Sequence, residues 1–162
     1  MVYSPRMTRK MRKMVGCRAF ALTASGVFAV GALSGCKNEV SDKDIKTIPL
    51  ADAARLQARS GSHPTLVLMI DPRSEIDFAE GHIPGARNLQ LPKVDPDRGA
   101  DPAISRYDNL IVYGDNPGSP VARAMAKRLM VAGYKRKKVK WFADGLDAWT
   151  RAGLPVERGA ER

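Results

Sequence analysis

Residues 110–123 read LIVYGDNPGSPVAR, a strand-length apolar run followed by a polar loop and a helix start. The first four residues are typical of a strand that is buried on both faces. Ser119 and Pro120 favour a helix start, because serine can cap free amides and proline lacks an N–H that would otherwise have no partner. A strand, loop and helix in this order direct backbone amides and the positive end of the helix dipole toward the loop, which favours an anion or a thiolate. The segment therefore predicts an α/β fold with a candidate site in the loop that begins at Gly114.

Strands and helices also alternate along the rest of the chain. The predicted strands are TIPL (47–50), TLVLMID (65–71), ARNLQL (86–91), NLIVYG (109–114) and KVKWFA (138–143). The predicted helices are Asp52–Ala58, SEIDFAE (74–80), Pro120–Ala132 and Leu146–Arg151. Alternation with short connections predicts one domain in three layers, with a central parallel sheet covered by helices on both faces.

The positive charge of the chain is unevenly distributed. The net charge is +10 over 162 residues, but residues 1–36 contain six of the 27 bases and none of the 17 acids. The remainder is much closer to neutrality. Because the excess belongs largely to the first segment, the overall charge gives no support to nucleic-acid binding, and we predict no nucleic-acid partner.

The first segment has the layout of a secretory signal. Its six bases precede an uncharged run from Ala19 to Cys36, which matches a basic n-region followed by an apolar h-region. The run ends in LSGC (33–36), which resembles the lipobox of bacterial lipoprotein signal peptides. The resemblance implies cleavage before Cys36 and lipid attachment, with fatty acids such as palmitate, at the new N-terminal Cys36.

Two alternatives to a cleaved lipoprotein signal remain open. Eighteen uncharged residues reach the lower limit of a bilayer span, so the run could be an uncleaved anchor. Its many Gly, Ala and Ser residues make it only mildly hydrophobic for a permanent span. A cytosolic protein with a misread start is the third option. The first two options both export the rest of the chain.

The lipoprotein interpretation divides the chain into four parts. Residues 1–35 are the predicted signal peptide, and residues 36–46 are a lipidated N-terminus with a flexible polar tether. Residues 47–157 form the predicted domain, and residues 158–162 form a polar tail. The expected location is the cell envelope, where the domain is held on the membrane by the lipid at Cys36 and faces the periplasm or the exterior.

The cysteine and histidine content limits the chemistry of the domain. The only cysteines are Cys17 and Cys36, so the exported part has no free thiol, disulfide or cysteine-based metal site. Two histidines, His63 and His82, are too few to indicate a zinc site. We therefore predict no metal and no cofactor.

Two long motifs resemble the rhodanese-like domain family. DPRSEIDFAEGHIPGARNLQLP (71–92) is similar to its Asp-x-Arg and Phe-x-x-Gly-His-Ile-Pro-Gly-Ala-x-Asn pattern. FADGLDAWTRAGLPVE (142–157) resembles its closing Gly-Gly-x-x-x-Trp-x-x-Ala-Gly-x-Pro-Val pattern. The resemblance implies a rhodanese-like three-layer fold. Catalytic members transfer sulfur through a cysteine persulfide in the loop after the central strand, and a related branch of phosphatases uses the same cysteine.

This chain departs from the catalytic pattern at that loop. Gly114 occupies the position of the cysteine, and Ser119 and Pro120 replace the arginine that often precedes the helix. The loop more closely resembles those of non-catalytic amino-terminal repeats in tandem rhodaneses. The resemblance therefore implies no catalytic residue and a vestigial loop. Its residues are Gly114, Asp115, Asn116, Pro117, Gly118 and Ser119.

Three residues are candidates for binding. Arg73 follows the end of a buried strand and could meet an anion, or it could connect neighbouring loops by charge-assisted hydrogen bonds. Ser119 could act as a nucleophile only beside a base, and a capping role explains it without one. Asp144 stands where the family has the first glycine of its pair and would place a negative charge near the loop. His82 is interpreted as a turn residue held by backbone contacts.

These observations predict a non-catalytic binding or regulatory module on the membrane, with an envelope protein or a small anion as its partner. The alternative is a rhodanese-type sulfurtransferase or related enzyme that uses an unrecognised or partner-supplied nucleophile. A third hypothesis is an electrostatic adaptor, in which the basic run at 135–140 contacts lipid headgroups or a cell-wall polymer. The same run could also be an ordinary solvated loop.

Overall fold

The apolar runs pair in parallel, as predicted, in the computed structural model, which describes residues 39–160. Five strands form one sheet in the order β1-β5-β4-β2-β3. The strands are β1 Lys46–Thr47, β2 Val67–Asp71, β3 Arg87–Asn88, β4 Asn109–Tyr113 and β5 Val139–Phe142. The helices are α1 Leu50–Ser60, α2 Glu75–Glu80, α3 Pro102–Ser105, α4 Pro120–Val131 and α5 Gly145–Arg151. The predicted α/β class with a parallel sheet is confirmed.

Two hydrophobic cores lie on opposite faces of the sheet. Alternate side chains of β4 divide between them, because successive residues of a strand point to opposite faces. Leu110 and Val112 pack with the apolar side of α4, whereas Ile111 and Tyr113 pack with residues of α1, α2 and α5. Every residue of β2 is buried, as expected for a strand covered on both faces. The three-layer arrangement is therefore the one that the sequence predicted.

Two predicted strands are shorter than expected. Of TIPL only Thr47 belongs to β1, because α1 already begins at Leu50. Of ARNLQL only Arg87 and Asn88 pair, opposite the last two residues of β2, which ends at Asp71. The chain beyond them then turns into short helical segments. These segments are 3-10 helices at Leu91–Lys93 and Pro96–Arg98, followed by α3.

The segment predicted as a flexible tether is attached to the domain from Val40 onward. Ser41 caps a 3-10 helix at Asp42–Asp44 through a capping box, and Val40 packs against the core on the α4 side. Lys46 then begins β1 beside β5. Local polarity predicted a free tether, but ion pairs and strand pairing with distant residues hold this segment on the fold. The ordered domain therefore starts before residue 47.

The polar tail is also in contact with the domain in its described part. The Gly159 amide donates to the Ala79 carbonyl at 2.9 Å, and Arg158 Nε donates to the Glu80 carbonyl at 3.3 Å. The predicted signal peptide and the predicted lipid attachment at Cys36 lie outside the described residues. Within residues 39–160, no helix is long and apolar enough to cross a membrane.

Candidate functional site

The loop after β4 lies at the carboxyl edge of the sheet, between the ends of two neighbouring strands. β4 pairs with β2 on one side and with β5 on the other. Arg73 follows β2, and Asp144 follows β5 at the start of α5. The structure therefore brings together the loop from Gly114 to Ser119, Arg73 and Asp144, as the sequence predicted.

Gly114 has no room for a side chain in this loop. A β-carbon placed on Gly114 would lie 2.2 Å from Ser119 Oγ and 2.4 Å from Ser119 Cβ. Both distances are far below van der Waals contact, and Ser119 itself is buried. The loop is therefore folded back on Gly114, and a side chain at this position could not point into the site without displacing Ser119.

Ser119 begins α4 as predicted, but the prediction that it caps the helix is wrong. Its side chain makes no capping hydrogen bond. The hydroxyl instead packs over Gly114. The side chain that was expected to accept a hydrogen bond from the helix amides therefore fills the space above this glycine. This packing joins residues five apart in the sequence and could not be read from helix-start preferences.

The backbone amides of the loop donate to carbonyls of the protein. The Gly118 amide donates to the Ala143 carbonyl at 2.9 Å, and the Ser119 amide donates to the Asn116 carbonyl at 3.3 Å. The first amides of α5, those of Leu146 and Asp147, donate to carbonyls of the same loop, each at 2.8 Å. Two loop amides expected to receive an anion are therefore already occupied, and the loop is closed by internal hydrogen bonds.

Arg73 is fully engaged by neighbouring residues. Its guanidinium contacts the Asp71 carboxylate through Nε at 2.9 Å and Nη2 at 2.7 Å. Nη2 also donates to the Gly81 carbonyl at 2.7 Å, and Nη1 donates to Asp115 Oδ1 at 2.6 Å. Arg73 is buried, so the structure favours the connecting role over the proposed binding of a free anion.

The surroundings of Arg73 keep it charged. Burial alone would lower the pKa of Arg73, but its hydrogen bonds and charge interactions with Asp71 and Asp115 raise that pKa above its ordinary value. The carboxylate of Asp115 thus lies on the cation that a substrate anion would otherwise approach. Sequence analysis missed this pairing, although the ends of adjacent parallel strands are where such partners meet.

Tyr113 belongs to the same network of hydrogen bonds around Asp71 and Arg73. It is fully buried, and its hydroxyl accepts a hydrogen bond from the Ile83 amide at 3.1 Å. Burial raises the pKa of Tyr113 well above its ordinary value, and the charge of Asp71 and a hydrogen bond to it raise that pKa further. The sequence indicated Tyr113 only as a core residue, and its hydroxyl connects the end of β4 to the motif around Ile83.

His82 has the structural role that the sequence predicted. Its Nδ1 lies 2.8 Å from the Phe78 carbonyl, and its ring stacks on the Phe78 ring with centroids 3.7 Å apart. Asp144 is exposed at the start of α5 and its side chain caps no amide. Of the three binding candidates, Asp144 is therefore the one whose side chain reaches solvent.

An open hollow of about 620 Å³ lies beside the loop. Its lining residues come from the loop and from α5: Pro117, Leu146, Asp147, Thr150 and Arg151. Within the described part of the chain, no three His, Cys, Asp or Glu side chains are close enough together to hold a metal ion. The accessible parts of the site are thus this hollow and the exposed loop tip at 115–118.

The basic run at 135–140 does not form one free patch. Lys138 Nζ donates to the carbonyls of Ser105 and Tyr107 at 2.9 and 2.7 Å, and Arg136 pairs with Asp44 at 2.7 Å. Lys140 bonds to the side chain of Asn109. Within residues 39–160, Lys135 and Lys137 are the two of these five bases that are exposed and form no such contact. The run alone therefore supports the adaptor hypothesis less than the sequence indicated.

Comparison with known proteins agrees with this architecture. The family model of the rhodanese-like domain matches residues 52–152. A Rhodopseudomonas palustris protein of unknown function, a possible tyrosine phosphatase, is 29% identical with a TM-score of 0.58, over 72% of this chain and 87% of that one. The rhodanese-like domain of an Anabaena protein is 25% identical with a TM-score of 0.53, over 69% of this chain and 78% of that one.

A similar sequence occurs within a larger regulator. The HTH-type transcriptional regulator Rv0324 of Mycobacterium tuberculosis is 32% identical over 94 residues, which are 58% of this chain. The match spans only 39% of the length of that relative. The similarity therefore concerns one part of that protein.

Proposed function

Because the chain belongs to the rhodanese-like domain family, we propose that it is an exported, lipid-anchored member that binds a partner and transfers no sulfur. The observation that carries this proposal is the packing of Ser119 on Gly114. Covalent catalysis in this family requires a thiolate at the start of the loop, and here that position has neither a side chain nor space for one.

The charge arrangement supports the same conclusion. Asp115 places a carboxylate on the guanidinium of Arg73 at 2.6 Å, so the protein supplies its own anion at this end of the sheet. Asp144 adds a second carboxylate at the mouth of the loop. A small anion would meet two negative charges and occupied amides, which disfavours it as the ligand.

A protein partner suits the accessible surface better than a small anion does. The loop tip at 115–118 is exposed, and the hollow beside it combines the apolar Pro117 and Leu146 with the polar Asp147, Thr150 and Arg151. Such a mixed, open surface resembles the polar rim and apolar centre of protein interfaces more than a pocket that encloses a small molecule. An envelope protein is therefore the proposed partner.

Anchoring in the membrane follows from the sequence of the first segment. The basic n-region, the uncharged run and LSGC (33–36) together support export and lipid attachment at Cys36. We place the domain in the cell envelope, on the outer side of the membrane that it has crossed.

The second candidate is an enzyme of the same family. Its support is the similarity to the Rhodopseudomonas palustris protein, a possible tyrosine phosphatase. For this chain it requires an unrecognised nucleophile or one lent by a partner, and the loop would have to open before a partner's group could approach Gly114.

Activity assays separate the two candidates when they are made both in detergent extracts of membranes and on the full-length protein purified from those extracts. Thiosulfate-to-cyanide sulfur transfer and p-nitrophenyl phosphate hydrolysis are measured beside a catalytic rhodanese as positive control and membranes without the protein as blank. We expect the protein to add no turnover in the extracts and none after purification. Turnover that depends on the protein in the extracts, or turnover that persists through purification, would overturn the non-catalytic proposal.

A crosslinking experiment tests the proposed partner surface. A photoreactive residue replaces the exposed Asn116 of the loop tip or, as a matched control, the exposed Asp97 of a 3-10 helix. We expect a discrete adduct in intact cells from position 116 and none from position 97. Equal crosslinking from both positions would contradict binding through the loop.

A further inference from the structure

The segment that follows the predicted lipid-bearing cysteine is fixed to one side of the domain. Asp42 forms ion pairs with Lys127 and Arg123 on the outer side of α4, and Asp44 pairs with Arg136 at 2.7 Å. Hydrogen bonding to Lys127 lowers the pKa of Asp42 and keeps its carboxylate charged. The chain then enters the sheet as β1 at its edge.

This attachment leaves very little chain between the domain and the membrane. Val40 already packs on the core, and four residue steps separate it from Cys36. A fully extended chain covers at most about 14 Å in four steps. If Cys36 carries the lipid, the side of the domain around β1 and α4 is therefore held close to the headgroups.

The same side carries exposed lysines. Lys43 and Lys46 belong to the attached segment, and Lys135 and Lys137 belong to the loop between α4 and β5. Lys46 lies opposite Lys140 in the pairing of β1 with β5. The two ammonium groups are close enough that the charge of Lys46 lowers the pKa of Lys140, in addition to the larger effect of burial. Positive charge is thus concentrated at this edge.

An exposed apolar residue ends α4, just before the loop that carries Lys135 and Lys137. Arg123, Lys127 and Val131 are spaced four residues apart, so they form one stripe along the outer side of α4. Val131 is 49% exposed and is one of two large hydrophobic residues in the described chain that reach solvent to this degree. An exposed apolar side chain on the same helix stripe as basic residues is typical of surfaces that lie in a membrane interface.

We propose that the basic face, defined as Lys43, Lys46, Val131, Lys135 and Lys137, rests on the anionic phospholipid surface in which Cys36 is anchored. The inference rests on the lipid attachment stated under the proposed function. Phospholipid headgroups are favoured over a cell-wall polymer because the short connection holds Val40, which packs on this side of the domain, within about 14 Å of the lipid-bearing Cys36.

This orientation leaves the candidate binding site accessible. The loop at 114–119 follows the carboxyl end of β4, whereas Lys135 and Lys137 precede the amino end of β5. In a parallel sheet these two ends lie at opposite edges. Contact of the basic face with the membrane would therefore direct the loop toward a partner instead of burying it.

Depth-dependent quenching on the acylated, full-length protein tests the orientation. Cys36 is acylated and Cys17 is removed with the signal peptide, so a single new cysteine can be labelled. Val131→Cys reports the basic face, and Asn116→Cys in the exposed loop tip, at the opposite end of the parallel strands, is the matched control. Each labelled protein is reconstituted in phosphatidylcholine vesicles with or without 30% phosphatidylglycerol and a quencher-bearing lipid.

In anionic vesicles we expect several-fold stronger quenching at position 131 than at position 116. Lys135→Glu with Lys137→Glu should remove most of the difference, whereas the exposed Arg55→Glu on α1 should leave it unchanged. Salt at 0.5 M should weaken the difference as well, because the contact is electrostatic. Circular dichroism checks that each variant is folded.

The outcomes separate this inference from the lipid attachment. A mass spectrum without acyl groups at Cys36 would refute the attachment itself. An acylated protein with equal quenching at both positions would overturn the orientation alone. Quenching at position 131 that does not depend on phosphatidylglycerol would overturn the recognition of anionic phospholipid. Binding of the basic face to dextran sulfate, a soluble polyanion that stands in for a cell-wall polymer, without any response to anionic vesicles would overturn it as well.

Discussion

Ser119 occupies the space that a side chain on Gly114 would need, with its Oγ 2.2 Å from the position of a β-carbon. If Gly114 stands at the position of the catalytic cysteine, as we propose, the loop differs from a catalytic one in its packing as well as in the missing thiol. A substituted side chain at Gly114 must displace Ser119, which begins α4, before it can point into the site. The first four of the following predictions test this closed loop and the residues that support it, in a soluble form that begins at Lys37.

The first prediction is energetic coupling between Gly114 and Ser119. Gly114→Ala should lower the free energy of unfolding by about 1–3 kcal/mol, because it overpacks a filled position. Ser119→Gly removes the clashing atoms, so the double variant should be less destabilised than the sum of the single ones. Urea unfolding followed by circular dichroism measures the coupling.

Gly61→Ala provides the control for any general effect of replacing a glycine. A β-carbon there meets no atom within 4 Å, and the backbone is helical with φ −59°. We expect a change near zero or slightly stabilising. Additivity within about 0.5 kcal/mol for the Gly114 and Ser119 pair would contradict the steric explanation.

The second prediction concerns the reactivity of a thiol introduced by Gly114→Cys. Negative charge near the loop disfavours the thiolate, but the charge of Asp115 is already paired with Arg73. We therefore expect crowding by Ser119 to lower the reactivity of the thiol more than the nearby charge does. Adding Ser119→Gly should raise the rate of alkylation by iodoacetamide at neutral pH several-fold. Adding Asp144→Gly instead should raise it less. A larger gain from Asp144→Gly would show that charge dominates.

The third prediction separates the two carboxylates that hold Arg73. Arg73→Met should cost about 3–5 kcal/mol, because it leaves the fully buried Asp71 without its cation. Asp115→Asn should cost about 1 kcal/mol or less, since the Asp115 side chain is 58% exposed. Thermal and urea unfolding measure both changes. Equal losses would mean that the Asp115 contact supports the fold as strongly as the buried pair does.

The fourth prediction is a loss of stability at high pH that depends on Tyr113. The pKa of Tyr113 is raised in the folded state, chiefly by burial. Above about pH 10 the phenol ionises in the unfolded chain and stays protonated in the folded one. The unfolded state then binds fewer protons, so the free energy of unfolding falls as pH rises.

Tyr113→Phe should make this fall shallower by up to about 1.4 kcal/mol per pH unit. At neutral pH it should still be less stable than wild type, because the Ile83 amide loses its acceptor. Unfolding between pH 9 and 11 measures the slopes. An unchanged slope would mean that Tyr113 already ionises in the folded protein.

The fifth prediction concerns Cys36. Cys36→Ser should leave the precursor uncut or release the protein from the lipid-modified pool, because only the thiol can accept the lipid. Mass spectrometry of the membrane fraction should show an acylated N-terminus at Cys36 in wild type. The neighbouring Ser34→Ala serves as a control for the signal region and should still be acylated. A wild-type protein that retains Met1 would favour the uncleaved anchor.

The sequence by itself was sufficient for the class of fold and for the expectation that the candidate site residues lie at one edge of the sheet. The strands β2 and β4 and the helix α4 are continuous runs or periodic patterns of apolar residues, so local order predicts them. The two long motifs then indicated the rhodanese-like family, which the family model confirms for residues 52–152. Arg73, the loop and Asp144 also met as expected, because adjacent parallel strands end at one edge of the sheet.

Only the tertiary structure decided how that site is filled. The bond between Arg73 and Asp115 joins residues 42 apart, and the ion pair of Arg136 with Asp44 joins residues 92 apart. Neither has a periodic signal in the sequence, because each depends on which side chains the folded sheet brings within hydrogen-bond distance. The same physical reason explains why a free anion-binding loop and a flexible tether were predicted. Local sequence shows which hydrogen bonds and contacts a segment can form by itself. Long-range contacts determine which of its groups remain accessible in the folded protein.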